Sequence, residues 1–250
     1  MTQQFRKKLL SGELLIGPMV TLTSSDVAEL FAEVGFDWLF VDAEHGPFSA
    51  RELQNVLQGA GKDMSCVIRL PVGDEGSIKT ALDVGAAGII APQVNTQEQA
   101  ERIVRAAKYA PEGARGVGIA RASRFGLNFN YHIESANQTT AVIVQAEHIE
   151  AVNNIEKIVR VPGIDAIFIG PYDLSASLGL MGQVGHPEVT GAIDRITEAC
   201  REVNLKLGIF GVSAKAVRPY IEKGFTLIVA GVDTLLMGQA AAALLAELKN

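Results

Sequence analysis

Residues 65–94, SCVIRLPVGDEGSIKTALDVGAAGIIAPQV, decide the fold. An apolar run, SCVIRLP, is followed by a segment of helical period, DEGSIKTALDVG, and then by a second apolar run, AGIIAPQV. Strands that are apolar almost throughout are buried on both faces, which means parallel strands covered by helices. The intervening helix starts on Asp74 and stops at Gly85, as helix ends require.

The same alternation continues in both directions. Strand candidates LLIGPMVTL and DWLFVDAE precede this unit, and TAVIVQAE, DAIFIGP, LKLGIFG and TLIVAG follow it. Eight such units in 250 residues predict an α/β chain folded as one (β/α)8 TIM barrel over residues 1–250. A doubly wound open sheet would place a glycine-rich turn after its first strand, where the sequence reads TLTSSD. No linker divides the chain. Its one long irregular segment, residues 111–138, is expected to be functional, locally structured or held by a neighbouring subunit.

Composition narrows the function. The chain is 48% hydrophobic with a formal charge of -6 and no Lys/Arg cluster, which argues against nucleic acid or an anionic membrane as partner and favours a small molecule. No run is long enough for a membrane span and no apolar leader follows MTQQFRKKLL, so a cytoplasmic location is expected. Cys66 and Cys200 are far apart beside apolar segments and are expected to be core thiols.

Catalytic groups of such a barrel project from the C-terminal ends of its strands. The second strand ends in Asp42, Glu44 and His45, the third in Arg69, the fourth in Gln93, and the fifth in Gln145 and Glu147; the sixth runs through Gly170 and Pro171 to Asp173. Glu147 and Asp173 can hold a hard divalent ion and leave positions open for water and substrate; alone, each would read as a capping or paired acid. His45 beside acids is a candidate base. Arg69 either stabilises an oxyanion or forms a salt bridge to Glu44 or Glu147. One of Asp42 and Glu44 is expected to face the barrel mouth and the other the helix layer. GPYDLSASLG, residues 170–179, reads as a turn into a short helix whose backbone N–H groups can hold an anion, with Gly170, Pro171 and Ser175 as substrate contacts. Phe210 suggests an apolar wall, and residues 21–24 and 121–131 are expected to tune substrate choice. No strand interior offers a Schiff-base lysine; Lys206 stands at the start of the seventh strand.

FVDAEHGPF, VIRLP, LDVGAAGIIAPQV, RGVGIARASRFG, VIVQAEHIEAVNNIEKI and GIDAIFIGPYDLSASLG together resemble the HpcH/HpaI aldolase family over nearly the whole chain. The resemblance implies a class II aldolase that cleaves 4-hydroxy-2-oxo acids to pyruvate and an aldehyde. It further implies binding of Mg2+, Mn2+ or Co2+ by Glu147 and Asp173, pyruvate contacts by Gln145, enolate stabilisation by Arg69, and proton handling by His45 paired with Asp42. Asp83 is implied to reach a neighbour's site in a homo-hexamer, a trimer of dimers, whose last helix packs on another barrel. An oxaloacetate decarboxylase or other enolpyruvate-transferring relative would share this site. A phosphate-binding isomerase would need backbone amides after the seventh and eighth strands, where FGVSAKA and AGVDTLL each carry one glycine before a helix. A non-catalytic oxo-acid binder would not need the acid/base groups.

Overall fold

A computed structural model describes residues 3–249. Eight parallel strands close in chain order: β1 (Leu15–Val20), β2 (Trp38–Asp42), β3 (Ser65–Arg69), β4 (Gly88–Ala91), β5 (Ala141–Ala146), β6 (Ala166–Ile169), β7 (Lys206–Gly211) and β8 (Leu227–Val232). β8 pairs back onto β1, so the barrel has no free edge. Each strand coincides with an apolar run of the sequence.

Alternation along the strands sorts side chains into two cores. Trp38, Phe40, Val67, Ile143, Phe168 and Val229 fill the barrel interior. Their neighbours Leu39, Val41, Ile68, Val144, Ile167 and Ile228 pack outward against the helices. Gly17 is required where β1 meets β2, because a Cβ there would lie 2.3 Å from the Trp38 carbonyl oxygen.

The expected helices form as α2 (Ser25–Val34), α3 (Ala50–Gly59), α4 (Glu75–Asp83), α5 (Gln97–Ala107), α10 (Pro187–Glu202) and α11 (Ala214–Glu222). Capping boxes at Ser49 and Thr96 start α3 and α5. The segment after β5 breaks at Asn154 into α7 (Ile149–Asn153) and α8 (Ile155–Ile158), and α9 (Pro171–Ser177) follows β6. The final helix, α12 (Asp233–Lys249), leaves the barrel: after Asp233 it exposes Leu236, Met237, Leu244, Leu245 and Leu248.

Two elements were not expected. α1 (Gln3–Ser11) inserts Phe5 and Leu9 into the interior core, with Phe5 5.5 Å from Trp38, and so plugs the N-terminal end of the barrel. Arg6 fixes it there through two hydrogen bonds to Asp165, at 2.9 and 2.8 Å. The second is α6 (Phe129–Thr139), which with a 3-10 turn (Arg121–Ser123) gives the segment beginning at residue 111 local structure, one of the forms expected for it. This segment joins α5 to β5 and lies at the N-terminal end of the barrel, held by Arg121 on the Val84 carbonyl and by Lys108 on the Asn137 and Thr140 carbonyls. Residues 121–131 therefore sit at the end of their own barrel opposite the strand C-termini, remote from their own chain's cavity. Cys66 and Cys200 are unpaired and buried, as expected.

Candidate active site

The strand C-termini open on a cavity of about 340 Å³ lined by Asp42, His45, Arg69, Gln145, Gly170 and Asp173, among others. Arg69 is its fixed cation. Its Nε and Nη2 donate to the two Asp42 carboxylate oxygens at 2.8 and 2.7 Å, and its Nη1 lies 3.1 Å from Glu44. The Phe40 ring lies 5.3 Å below the guanidinium. Burial works against the Arg69 charge, but the Asp42 hydrogen bonds and the charges of Asp42, Glu44 and Glu147 outweigh it and hold its pKa above the usual value.

Both acids thus turn to one guanidinium, and neither serves the helix layer. Asp42 ends β2 and Glu44 lies in the turn after it, so strand alternation does not govern Glu44, and the turn brings it back to Arg69. The expected pairing of Asp42 with His45 also takes another form. Asp42 Oδ1 accepts the backbone N–H groups of Glu44 and His45, at 3.1 and 3.3 Å, and its remaining capacity goes to Arg69. Asp42 orients the turn that carries His45 and leaves the imidazole exposed at the rim.

Glu147 is 2% exposed and is held from two sides. Its Oε1 accepts the Gln93 N–H at 2.8 Å, and its Oε2 takes the Gln145 side-chain amide. Gln93 reaches it from a left-handed backbone, φ 54°, a conformation that a non-glycine residue holds only where its surroundings enforce it. Burial pushes the Glu147 carboxyl up to about 7; its two hydrogen bonds oppose this, and Glu44 and Asp173 add to it. Burial likewise raises Glu44, with Asp42 and Asp173 adding and Arg69 and His45 opposing. Asp173 stands in the first turn of α9, exposed at the mouth. Gly170 leaves room beside them: a Cβ there would lie 2.8 Å from Glu147 Oε2 and 3.2 Å from Gln145 Nε2.

Four carboxylates, Asp42, Glu44, Glu147 and Asp173, therefore share one arginine. The Gln145 side-chain oxygen, buried and without a hydrogen-bond partner, adds an unused acceptor. Hard oxygen donors in excess of positive charge suit a divalent cation that takes further ligands from water and substrate. Among the described residues no group of three or more His, Cys, Asp or Glu side chains is suited to a metal.

Other expected residues lie elsewhere. Ser175 is fully buried, donating to the Tyr172 carbonyl and accepting the Gly182 N–H, and so shapes the loop after α9 without lining the cavity. Asp83 ends α4 at the N-terminal side of the barrel, 2.7 Å from Arg115, and is remote from its own chain's cavity. Phe210 lines the cavity and packs 6.2 Å from Tyr172. Met19, Thr21, Phe168 and Tyr172 also line it. Period 2 places Met19 and Phe168 inward with hindsight, whereas Thr21 and Tyr172 lie in turns whose direction no pattern reveals.

A model of the HpcH/HpaI aldolase/citrate lyase family matches residues 16–240. The chain belongs to this family. Among HpcH/HpaI members, it is 41% identical over 237 residues to the hydroxypyruvate/pyruvate aldolase of Pseudomonas aeruginosa, covering 94% of this chain and 88% of that one. It is 40% identical to the 4-hydroxy-2-oxo-heptane-1,7-dioate aldolase of Shigella flexneri, over 100% of this chain and 94% of that one. The crystal structure of a family protein from Burkholderia cenocepacia superposes with a TM-score of 0.95 at 34% identity, covering 99% of this chain and 100% of that chain.

Proposed function

We propose that this HpcH/HpaI member is a class II pyruvate aldolase, a carbon–carbon lyase that reversibly cleaves 4-hydroxy-2-oxo acids to pyruvate and an aldehyde. The observation that carries the reading is Arg69, pinned by Asp42 and Glu44 and facing the cavity that Gln145 and Asp173 also line. A guanidinium held in place before reaction stabilises an oxyanion without reorganising, the kind of contribution worth about 3 kcal/mol of barrier.

Glu147 and Asp173 would hold a divalent cation such as Mg2+, Mn2+ or Co2+, which when bound supplies Lewis-acid polarisation of the 2-oxo group. The chain's own residues do the rest. Gln145 and the glycine-proline corner at Gly170 and Pro171 bound the pocket for the pyruvate half. In cleavage, His45 takes the proton of the C4 hydroxyl, the C3–C4 bond breaks, and its electron pair passes to C3 and onto the C2 oxygen, where Arg69 faces it. The aldehyde leaves, and a proton delivered to C3 yields pyruvate. Synthesis reverses these steps, with His45 serving the proton removed from the pyruvate methyl group.

The exposed leucines of α12 support a homo-oligomer in which this helix packs on a second copy, with a hexamer as the proposed assembly. Asp83, remote from its own cavity, would then serve a neighbour's. Among the described residues no helix is long and apolar enough to cross a membrane.

Dialysis against EDTA tests the assignment. Pyruvate release from 4-hydroxy-2-oxo acids should cease and return on addition of Mg2+, Mn2+ or Co2+. Full activity in the stripped protein, or a covalent adduct trapped by borohydride with pyruvate, would refute a class II mechanism.

A further inference from the structure

The cavity lining is mixed in character. Arg69, Gln145 and Asp173 bring charged and hydrogen-bonding groups to it, whereas Met19, Phe210 and the Tyr172 ring are mainly apolar. Thr21, directly after β1, adds its hydroxyl-bearing side chain to the same lining. This hydroxyl is not free to turn. Asp233, at the start of α12 and only 3% exposed, accepts from Thr21 Oγ1 at 2.6 Å. The same carboxylate accepts the backbone N–H groups of Thr21 and Leu22, both at 2.8 Å, and of Thr234 at 2.7 Å.

Three of these four partners are backbone N–H groups, which only donate, so the Asp233 carboxylate acts as acceptor throughout. The proton of Thr21 Oγ1 is thereby committed to Asp233. What remains on the oxygen is acceptor capacity, strengthened by its bond to a carboxylate. The two backbone bonds fix the corner of the β1–α2 turn, so the oxygen is held in one place as well as one polarity.

We propose that Thr21, positioned by Asp233, is a specificity-determining contact that accepts a hydrogen bond from a hydroxyl on the acceptor aldehyde. The inference rests on the aldolase reading and assigns the acceptor class, aldehydes with a hydroxyl near the carbonyl. A site with a fixed acceptor discriminates against the deoxy analogue, because that ligand leaves a desolvated polar group unpaired.

The test compares glycolaldehyde with acetaldehyde as acceptors for pyruvate, scored as the ratio of kcat/KM values. Wild type should favour glycolaldehyde by about tenfold or more, in line with one buried hydrogen bond. Thr21→Val should remove most of that preference, and Thr21→Ser, which keeps the hydroxyl, should hold it to within about twofold. Thr21→Ala replaces the valine variant if the latter does not fold. Asp233→Asn should lower the same ratio, and adding Thr21→Val to it should lower it no further, as expected when one residue acts through the other. A valine or alanine variant that retains the wild-type ratio overturns the assignment of Thr21; an additive double variant overturns that of Asp233. Deuterium exchange into the pyruvate methyl group, which needs no acceptor, is followed in wild type alongside. Its absence would refute the aldolase reading, whereas exchange with an unmoved ratio refutes only the proposal for Thr21.

Discussion

Asp42 carries more of the site than any other single residue. Its carboxylate fixes Arg69 through two hydrogen bonds and the His45 turn through two more, all within a nearly dry corner. Replacing it by Asn leaves a buried guanidinium half paired, and Asp42→Asn should cost about 3 kcal/mol in thermal or urea unfolding. The kcat for retro-aldol cleavage should fall by about a hundredfold or more as Arg69 loses its orientation. Glu147 behaves differently, since its burial already opposes its charge. Glu147→Gln should leave the fold as stable as wild type or more so in EDTA, while Mn2+ affinity measured by calorimetry or paramagnetic resonance should fall by at least about tenfold. These residues were legible in the sequence because each closes an apolar strand. Their partners were not: nothing in FVDAEH tells whether Asp42 meets a histidine or an arginine from the next strand, since that depends on register between β2 and β3, where Asp42 stands opposite Arg69.

At the level of elements, the β6–α9 junction shows how backbone shape sets chemistry. A methyl group at Gly170 would meet Glu147 Oε2 at 2.8 Å and its Cβ at 3.0 Å, with Gln145 Nε2 at 3.2 Å. Gly170→Ala should therefore impair divalent-ion affinity and raise the KM for the 2-oxo acid together, with little change in the far-UV spectrum; an unaltered metal titration would argue that Glu147 can retreat. The eight strands and most helices were readable because burial on both faces and caps are local signals. α1 and α6 were not. α1 is amphipathic only with respect to a barrel floor that exists after closure, and α6 starts at Asn128 without a side-chain cap. The placement of residues 121–131 is set at the same level: which end of a barrel a loop occupies depends only on whether it follows a helix or a strand.

For the whole molecule, charge and surface make separate statements. Lys108 is 2% exposed and donates to two carbonyls at the floor of the barrel, and burial lowers its pKa to about 8. The unfolded chain keeps that proton up to its ordinary value of 10.5, so between about 8 and 10.5 the unfolded state binds more protons and stability rises with pH. The gain can reach roughly 3 kcal/mol and should be missing from the pH profile of Lys108→Met. α12 makes the second statement: Leu244→Asp with Leu245→Asp should shift the sedimentation coefficient from that of an oligomer to that of a monomer, and an unshifted oligomer would mean that other surfaces hold the copies together. A further consequence follows from the two unpaired cysteines. Both are buried in the packed layer, and burial pushes both thiols up to about 12, so at neutral pH a reagent such as a disulfide dye meets no thiolate on the native surface. The labelling rate of unmodified protein then becomes a clock for transient opening of the barrel wall, with Cys66 on β3 and Cys200 on α10 timing opposite sides of it.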